Sequence, residues 1–526
     1  MTTKFEQLKN ILVELTHISS ATALLHWDLE TYMPERGAEM RGKTISVMSA
    51  LCHEKFTSPE FEKLITELND AMKKWGQAQI PSEIEPDPIF SEEMACVVRE
   101  VWRDFSRQKK LPKAFVAELA QVTSDAHAPW VRARATSDFS IFSPTLKKII
   151  ELKRQEAEYY GYEESPYNAL LDGFEPDATI ADYEPMFEEV KKFLVPFIAC
   201  IKEQYAGVAD PSSLGGTRDD ITSLGMTHGD FDPMAQEMFC KEMLARMGFP
   251  FDRGRLDQTA HPFTQGFHAG DVRITTRYDR DNVFFSIGSS IHEAGHAFYD
   301  LGLSAEHFGT PLGESLSLGI HESQSRLWEN HVGKSRAFWT PLYPRLQSAF
   351  PKPFADISFE QFYRHLNRVE PSLIRTEADE VTYNLHIIIR YEIEREIIEG
   401  AIAIDDIPEV WNQKVKHYLG IDVPDDAHGC LQDVHWSCGY FGYFPTYCLG
   451  NLYAAQLYAA AQRDILNLEE EITQGSFDHL REWLRTRIHV HGRRYVQDAL
   501  ILRATGEKLN ARHFIDYITK KYSEIQ

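Results

Sequence analysis

The segment His292-Glu293-Ala294-Gly295-His296 places two histidines and a glutamate at a spacing that suits metal chemistry. On a helix, positions four apart lie about 6 Å from each other along the axis, so both imidazoles project from one face. This arrangement supplies two ligands of one tetrahedral zinc ion. The glutamate lies beside them, within reach of a metal-bound water, and suits a general base. The segment therefore predicts a catalytic zinc site.

The residues around this segment favour a packed helix over a surface helix that carries two histidines by chance. Ala297-Phe298-Tyr299 continue the segment as an apolar face for packing. A helix start is predicted after Ser289-Ser290, because serine is a frequent N-terminal cap.

Alternation at period two predicts a strand at residues 271–278, where Val272, Ile274 and Thr276 share one face. Residues 283–287, which follow Asp281-Asn282, are predicted to form a second strand. A small hairpin-like sheet is therefore expected directly before the metal-binding helix.

A catalytic zinc site has three protein ligands and one open position, so a third ligand is required. The metalloprotease pattern with a third histidine needs glycine at 299 and histidine at 302. This chain has Tyr299 and Gly302, so that class is excluded. Asp300, one turn after His296, is a candidate for orienting a ligating imidazole, unless it merely ends the helix.

The remaining candidates for the third ligand are the glutamates downstream of the motif, which are Glu306, Glu314, Glu322 and Glu329. Glu322 is selected because it lies in the segment 319–324, inside a run at 314–330 with helical character. Glu314 is the main rival, and a surface-helix glutamate is the alternative interpretation for either residue.

The composition limits the classes of protein to which the chain can belong. The chain has 526 residues, of which 43% are hydrophobic and 25% charged, and a net charge of −24 that repels nucleic-acid phosphates and anionic lipids. No window approaches the roughly 20 apolar residues that span a bilayer, and the first 20 residues lack the apolar stretch of a signal peptide. The seven cysteines include no CxxC pair and indicate reduced thiols. We therefore expect a cytoplasmic protein that binds neither nucleic acid nor membrane.

Six motifs occur in order along the chain: His261-Pro262-Phe263, Asp271-Val272-Arg273-Ile274-Thr275, the His292 to His296 segment, His321-Glu322-Ser323-Gln324, Ile374-Arg375-Thr376-Glu377-Ala378-Asp379, and Gly429-Cys430-Leu431-Gln432-Asp433-Val434-His435-Trp436. In these motifs the chain resembles the carboxypeptidase Taq family of zinc metallocarboxypeptidases, in the gluzincin group. The resemblance extends from near residue 25 to the C-terminal region. It assigns Glu322 as the third ligand.

The resemblance also implies a fold and an activity. The fold is expected to be mainly α-helical, with a deep active-site groove and a small β-sheet next to the metal-binding helix. The activity is expected to be removal of C-terminal residues from peptides with broad preference, proline being poorly accepted. A cytoplasmic homodimer is implied, with one Zn²⁺ per chain for which Co²⁺ can substitute.

Donors to the developing oxyanion are expected from His435 and from a tyrosine of the aromatic run Tyr440, Tyr443 and Tyr447. Related gluzincin peptidases place a tyrosine 12 residues after such a histidine, which here selects Tyr447, with Tyr443 second. Without the resemblance, an aromatic core is the simpler interpretation of all these residues.

A carboxypeptidase needs a fixed cation for the terminal carboxylate of its substrate, and arginine meets that geometry best. The resemblance places Arg375 in this role, with Asp379 as the group that fixes its side chain. Arg273 is the second candidate, and a structural ion pair is the alternative for either. His261 is expected near the cleft, and residues 271–275 are expected to line a sheet edge to which an extended peptide adds.

The proposed ligands, the arginine for the carboxylate and the oxyanion donors extend from residue 292 to residue 447 and must converge on one metal ion. We therefore predict a single domain over 1–526, with helices at about 1–200 as an N-terminal cover and the zinc and substrate site at about 200–526. A zinc oligopeptidase that cuts internally in short peptides is the alternative enzyme. A peptide-binding protein with a degenerate site is the alternative from another class, although the intact Glu293 disfavours it.

Overall fold

The computed structural model describes residues 1–78, 91–207 and 230–525. Helices account for most of these residues, which confirms the predicted fold class. They are α1 Thr2–Thr31, α2 Ala38–Phe56, α3 Pro59–Ala78, α4 Glu92–Lys110, α5 Lys113–Thr136, α6 Ser143–Tyr160, α7 Pro166–Leu171, α8 Ile180–Gly207, α9 Pro233–Met247, α10 Val283–Gly302, α11 Leu318–Arg326, α12 Arg336–Ala349, α13 Phe359–Leu366, α14 Tyr383–Glu399, α15 Ile407–Leu419, α16 Pro445–Asp464, α17 Leu468–Thr473, α18 Asp478–Arg487, α19 Gln497–Thr505 and α20 Arg512–Ile525.

One small sheet lies beside helix α10. Its strands are β1 Gly254–Gln258, β2 Thr264–His268 and β3 Asp271–Thr276, in the order β1-β3-β2. Strand β3 pairs in parallel with β1 and antiparallel with β2. The predicted strand that begins at residue 271 is therefore correct, but it is the central strand. The predicted sheet edge at residues 271–275 is wrong, because β2 forms that edge.

Helix α10 carries the metal-binding motif and begins earlier than predicted. The predicted strand at 283–287 is wrong, since these residues form the first turns of α10. The cap is Asn282, whose side chain accepts the N–H groups of Phe284 and Phe285, and not Ser289-Ser290. The helix is favoured because Val283, Ile287 and Ile291 recur every four residues and bury one continuous face.

The buried apolar residues form two clusters. The larger one runs from α5 to α20 and surrounds α10, α11 and α16. The smaller one is formed by α1, α3 and α4, with Leu312 as a contribution from the rest of the chain. The N-terminal helices thus possess a small core of their own, while the division into a cover at about 1–200 and a site region remains a prediction. In the described ranges, no helix is long and apolar enough to cross a membrane.

Candidate metal centre and active site

Three predicted metal ligands converge where α10 meets α11. The candidate ligand atoms of His292, His296 and Glu322 lie within 4.8 Å of one another. Glu322 Oε2 lies 3.4 Å from His296 Nε2 and 3.8 Å from His292 Nε2. Two imidazole nitrogens and one carboxylate oxygen are a common donor set for a catalytic zinc ion, so these residues fit the predicted metal.

Glu329 orients the imidazole of His292. Its Oε2 lies 2.7 Å from His292 Nδ1, so the carboxylate accepts the Nδ1 hydrogen and leaves the Nε2 lone pair free for a metal. Glu329 lies in a π-helical turn, Leu327–Val332, that continues α11. Sequence reasoning considered Glu329 only as a ligand candidate. Its spacing of seven residues from Glu322, which is two helical turns, is the signal for a shared face.

A second chain of hydrogen bonds orients His296. Its Nδ1 lies 2.6 Å from His321 Nδ1, and His321 Nε2 lies 3.0 Å from Asp300 Oδ1. With hydrogens on His296 Nδ1 and His321 Nε2, both contacts are satisfied and His296 Nε2 stays available to a metal. Asp300, a predicted orienting carboxylate, therefore contacts His321 directly and reaches His296 only through it.

Arg326 keeps the two carboxylates beside the histidines ionised. Its Nε donates to Glu322 Oε1 at 2.7 Å and its Nη1 to Glu329 Oε2 at 3.1 Å. Burial alone raises the pKa of Glu329, but Arg326 and the nearby His292 outweigh it and hold that pKa at about 2. The pKa of Glu322 lies below its ordinary value, since the same arginine outweighs its burial. Both groups are therefore anionic at neutral pH.

Two glycines allow three helices to meet at this site. A Cβ on Gly295 of α10 would lie 2.6 Å from the backbone oxygen of Gln324 and from Cα of Ser325 on α11. A Cβ on Gly450 of α16 would lie 2.4 Å from Cγ of Glu322. Helices α10 and α16 thus approach α11 more closely than any other residue type at these positions would permit.

We expect Gly450→Ala to weaken metal binding by roughly 10- to 100-fold, because the new methyl group must displace the Glu322 side chain. The measurement is the free zinc concentration that restores half of the metal content after chelation. Gly288→Ala on α10 is the matched control, since a Cβ there would meet no atom within 4 Å. Equal zinc affinity in both variants would contradict the argument.

Glu293, the predicted general base, is buried beside the ligands. Its Oε2 lies 2.6 Å from the hydroxyl of Thr264, the first residue of β2. The strand edge and the helix are therefore joined at this carboxylate. Thr264 was not among the predicted site residues, although it follows directly after the His261-Pro262-Phe263 motif.

His435 and two of the predicted tyrosines form an aromatic group. His435 Nε2 lies 3.3 Å from the Tyr447 hydroxyl, and the Tyr443 ring centroid lies 5.2 Å from that of Tyr447. Burial lowers the pKa of His435 to about 4, so its imidazole is neutral at pH 7. Burial and the Glu322 charge raise the pKa of both tyrosines, so their hydroxyls keep a proton to donate.

Arg375 is buried and held by groups from two other segments. Its Nε donates to Asp433 Oδ1 at 2.9 Å, and its Nη1 donates to the Tyr383 hydroxyl at 3.1 Å. The prediction that Asp379 fixes this side chain is wrong, since Asp379 accepts the backbone N–H groups of residues 370, 381 and 382. Nη2 of Arg375 has no acceptor among the residues that the structure describes.

Arg273 and His261 lie in different settings. Nε and Nη2 of Arg273 each donate to Asp271 at 2.9 Å, and the guanidinium lies 4.5 Å from the Trp27 ring and 5.0 Å from the Phe267 ring. This is the ion pair that the sequence left open as its alternative role. His261 is an exposed residue of the loop between β1 and β2.

A groove of about 1020 Å³ leads to the site. Its lining comes from α1, α2, α4, β2 and several residues between 303 and 318. Thr264, Asp300 and His321 belong to its lining, so it reaches the residues that orient Glu293 and His296.

The family model described as carboxypeptidase Taq (M32) metallopeptidase matches residues 7–522. The chain is 39% identical over 516 residues to Carboxypeptidase 1 of Bacillus subtilis, which covers 98% of this chain and 97% of that protein. It is also 39% identical to Thermostable carboxypeptidase 1 of Thermus thermophilus, with coverage of 99% and 98%.

Solved structures agree with these matches. The Trypanosoma cruzi metallocarboxypeptidase 1 superposes with a TM-score of 0.90 at 34% identity and covers 99% of this chain and 100% of that chain. The M32 carboxypeptidase of Deinococcus radiodurans superposes with a TM-score of 0.87 at 35% identity over 99% of both chains. The similarity thus extends over the whole length and the whole fold.

Proposed function

Because this chain belongs to the carboxypeptidase Taq (M32) metallopeptidase family and is therefore a carboxypeptidase, we propose that it is a zinc enzyme that removes C-terminal residues from peptides with broad preference and disfavours proline. The observation that carries the proposal is the convergence of His292, His296 and Glu322 within 4.8 Å, beside the buried Glu293. No comparable set of three metal ligands occurs elsewhere in the described residues.

His292, His296 and Glu322 would hold the zinc ion, which when bound would supply a Lewis acid for the scissile carbonyl and lower the pKa of a water toward about 7. Glu293 takes the proton from the attacking water and transfers it to the leaving amine. The Thr264 hydroxyl keeps the carboxylate in position for both transfers. The two proton transfers therefore depend on Glu293 and on Thr264, which holds it in place.

Substrate binding is proposed to use the groove. The peptide backbone pairs with the edge of β2. Nη2 of Arg375 binds the terminal carboxylate, and Asp433 and Tyr383 fix that guanidinium. The neutral His435 and the Tyr447 hydroxyl donate to the oxygen that gains charge, with Tyr443 as the alternative donor. Arg273 is a weaker candidate than Arg375 for binding the terminal carboxylate, because its Nε and Nη2 are bonded to Asp271. His261 is the weakest of the three candidates for substrate binding.

Time-resolved digestion of an unblocked peptide, followed by mass spectrometry with and without a chelator, tests this function. A ladder of products shortened from the C-terminus, and abolished by the chelator, is the expected result. Internal fragments would instead indicate the oligopeptidase. A matched peptide with an amidated C-terminus is expected to be cleaved at least tenfold more slowly, because it lacks the charge that Arg375 binds. Equal rates on the acid and the amide would remove Arg375 from this role.

We expect Tyr447→Phe to lower kcat/KM by roughly 100-fold, because one donor to the developing negative charge is lost. Steady-state kinetics on a free-acid peptide measure the effect. Tyr440→Phe is the control, since this exposed tyrosine lies in the same aromatic run. Wild-type kcat/KM in Tyr447→Phe, with a loss in Tyr443→Phe, would transfer the role to Tyr443.

The resemblance supplies three further parts of the proposal. The enzyme is a homodimer, it works in the cytoplasm, and Co²⁺ can replace its Zn²⁺. Sedimentation at micromolar concentration tests the homodimer, and metal analysis of the purified protein together with activity after exchange of zinc for cobalt tests the metal.

A further inference from the structure

We propose that Tyr383 is a positioning residue that couples the arginine for the substrate carboxylate to the arginine beside the metal ligands, and thereby sets which peptide bond is cleaved. The proposal rests on the function proposed above for the same site. It assigns a role to a residue outside the ligands, the base and the oxyanion donors. Its basis is that one buried side chain contacts both guanidinium groups, Arg326 through its ring and Arg375 through its hydroxyl.

The face of the ring contacts the metal side of the site. The guanidinium carbon of Arg326 lies 4.1 Å from the centroid of the Tyr383 ring, well inside the range of a cation–π contact. Arg326 in turn donates to Glu322 at 2.7 Å and to Glu329 at 3.1 Å. The ring therefore limits the position of the cation that holds both carboxylates.

The hydroxyl of the same tyrosine contacts the substrate side. Nη1 of Arg375 donates to it at 3.1 Å, while Nε of Arg375 is bonded to Asp433. Two bonds from different directions fix the plane of this guanidinium. The plane decides where Nη2 meets a carboxylate, because guanidinium donors lie in a rigid fork.

Tyr383 itself has little freedom to move. Its side chain is 4% exposed, and it is the first residue of α14. Asp379 fixes the turn before it by accepting the N–H groups of Val381 and Thr382. The Tyr447 ring packs edge-on at 6.4 Å between centroids. The separation of Arg326 and Arg375 is therefore determined by one rigid aromatic side chain.

This separation matters because a carboxypeptidase must bind the terminal carboxylate one residue away from the carbonyl that it hydrolyses. One extended residue spans only about 3.3–3.6 Å, and a misplacement of about 1 Å can cost roughly 100-fold in rate. A guanidinium that shifts toward or away from the metal centre changes which carbonyl reaches Glu293. Release of single residues, rather than dipeptides, is thus expected to depend on Tyr383.

Two variants separate the two contacts. Tyr383→Phe keeps the ring on Arg326 and removes the hydroxyl from Arg375. We expect KM for free-acid peptides to rise roughly tenfold, kcat for the release of single residues to fall, the dipeptide fraction among the products to increase, and zinc affinity to remain unchanged. Tyr383→Leu also removes the ring, so we expect zinc affinity to fall roughly tenfold in addition.

Tyr343→Phe is the matched control, because its hydroxyl donates to the Ile357 carbonyl in another part of the fold. It is expected to keep wild-type KM, products and zinc affinity. Suppose that the wild type cleaves free acids faster than amides. If Tyr383→Phe then keeps the wild-type KM and product distribution, this inference is overturned. Equal rates of the wild type on the acid and the amide would remove Arg375 from its role and with it this inference, whereas internal fragments in place of a C-terminal ladder would refute the proposed function. Tyr383→Phe alone decides the question if Tyr383→Leu does not fold.

Discussion

Glu293→Gln is expected to lower kcat by roughly 1,000-fold and to leave the zinc content at its wild-type level. The amide has the shape of the carboxylate, and its oxygen can still accept the Thr264 hydroxyl that lies 2.6 Å from Oε2. It cannot take the proton from the attacking water or return it to the leaving amine. Single-turnover rates on a free-acid peptide, together with metal analysis of the same sample, measure the effect.

Two controls accompany this variant. Glu306→Gln changes an exposed glutamate that was also among the ligand candidates and that is not part of the groove lining. It is expected to keep the wild-type rate. Thr264→Val keeps the base but removes its partner, so an intermediate loss is expected. If Glu293→Gln retains more than about a tenth of the wild-type kcat with full zinc content, another group is the base.

The second large effect is expected for Glu322→Gln, which should abolish zinc binding at micromolar metal and with it the activity. The variant removes the anion that lies 3.4 Å and 3.8 Å from the two ligating imidazole nitrogens. It also leaves Arg326 beside an uncharged amide. Isothermal titration of the chelated protein with zinc measures the affinity, and far-ultraviolet circular dichroism checks the fold.

Glu329→Gln provides the contrast that separates a ligand from an orienting group. Both glutamates contact Arg326 and both face His292. The loss of an orienting carboxylate is expected to weaken zinc binding only by roughly 10- to 100-fold, so activity should return at higher zinc concentration. A greater loss in Glu329→Gln than in Glu322→Gln would mean that the two roles are exchanged.

The residues that share a short motif were predictable from sequence. His292 and His296 are separated by one helical turn, so local geometry alone brings them together. Glu322 was selected among four glutamates by its place in a helical run, with Glu314 as the main rival, and the family resemblance then assigned it as the third ligand. The helical class was also predictable, since periodicity recurs along most of the chain.

Features that depend on distant parts of the chain could not be predicted in the same way. The partner of Arg375 is Asp433, 58 residues away, whereas the predicted partner was the neighbouring Asp379. The strand predicted at 283–287 is helical because the capping side chain of Asn282 and the buried face of α10 outweigh the β propensity of that apolar run. The contact of Thr264 with Glu293 likewise depends on how a strand meets a helix.

The two glycines at the helix crossings have a consequence for the tolerance of this site to change. In a saturation scan scored on zinc retention, Gly295 and Gly450 are expected to tolerate as few substitutions as the ligands, although neither residue offers a donor atom. The spacing of the proposed metal ligands depends on a backbone contact between α10 and α11 at Gly295 and on the contact of the α16 backbone with the Glu322 side chain at Gly450. If His292, His296 and Glu322 were introduced into another helical protein without the two close contacts at Gly295 and Gly450, the same ligand atoms would lie at distances from one another that do not suit one metal ion.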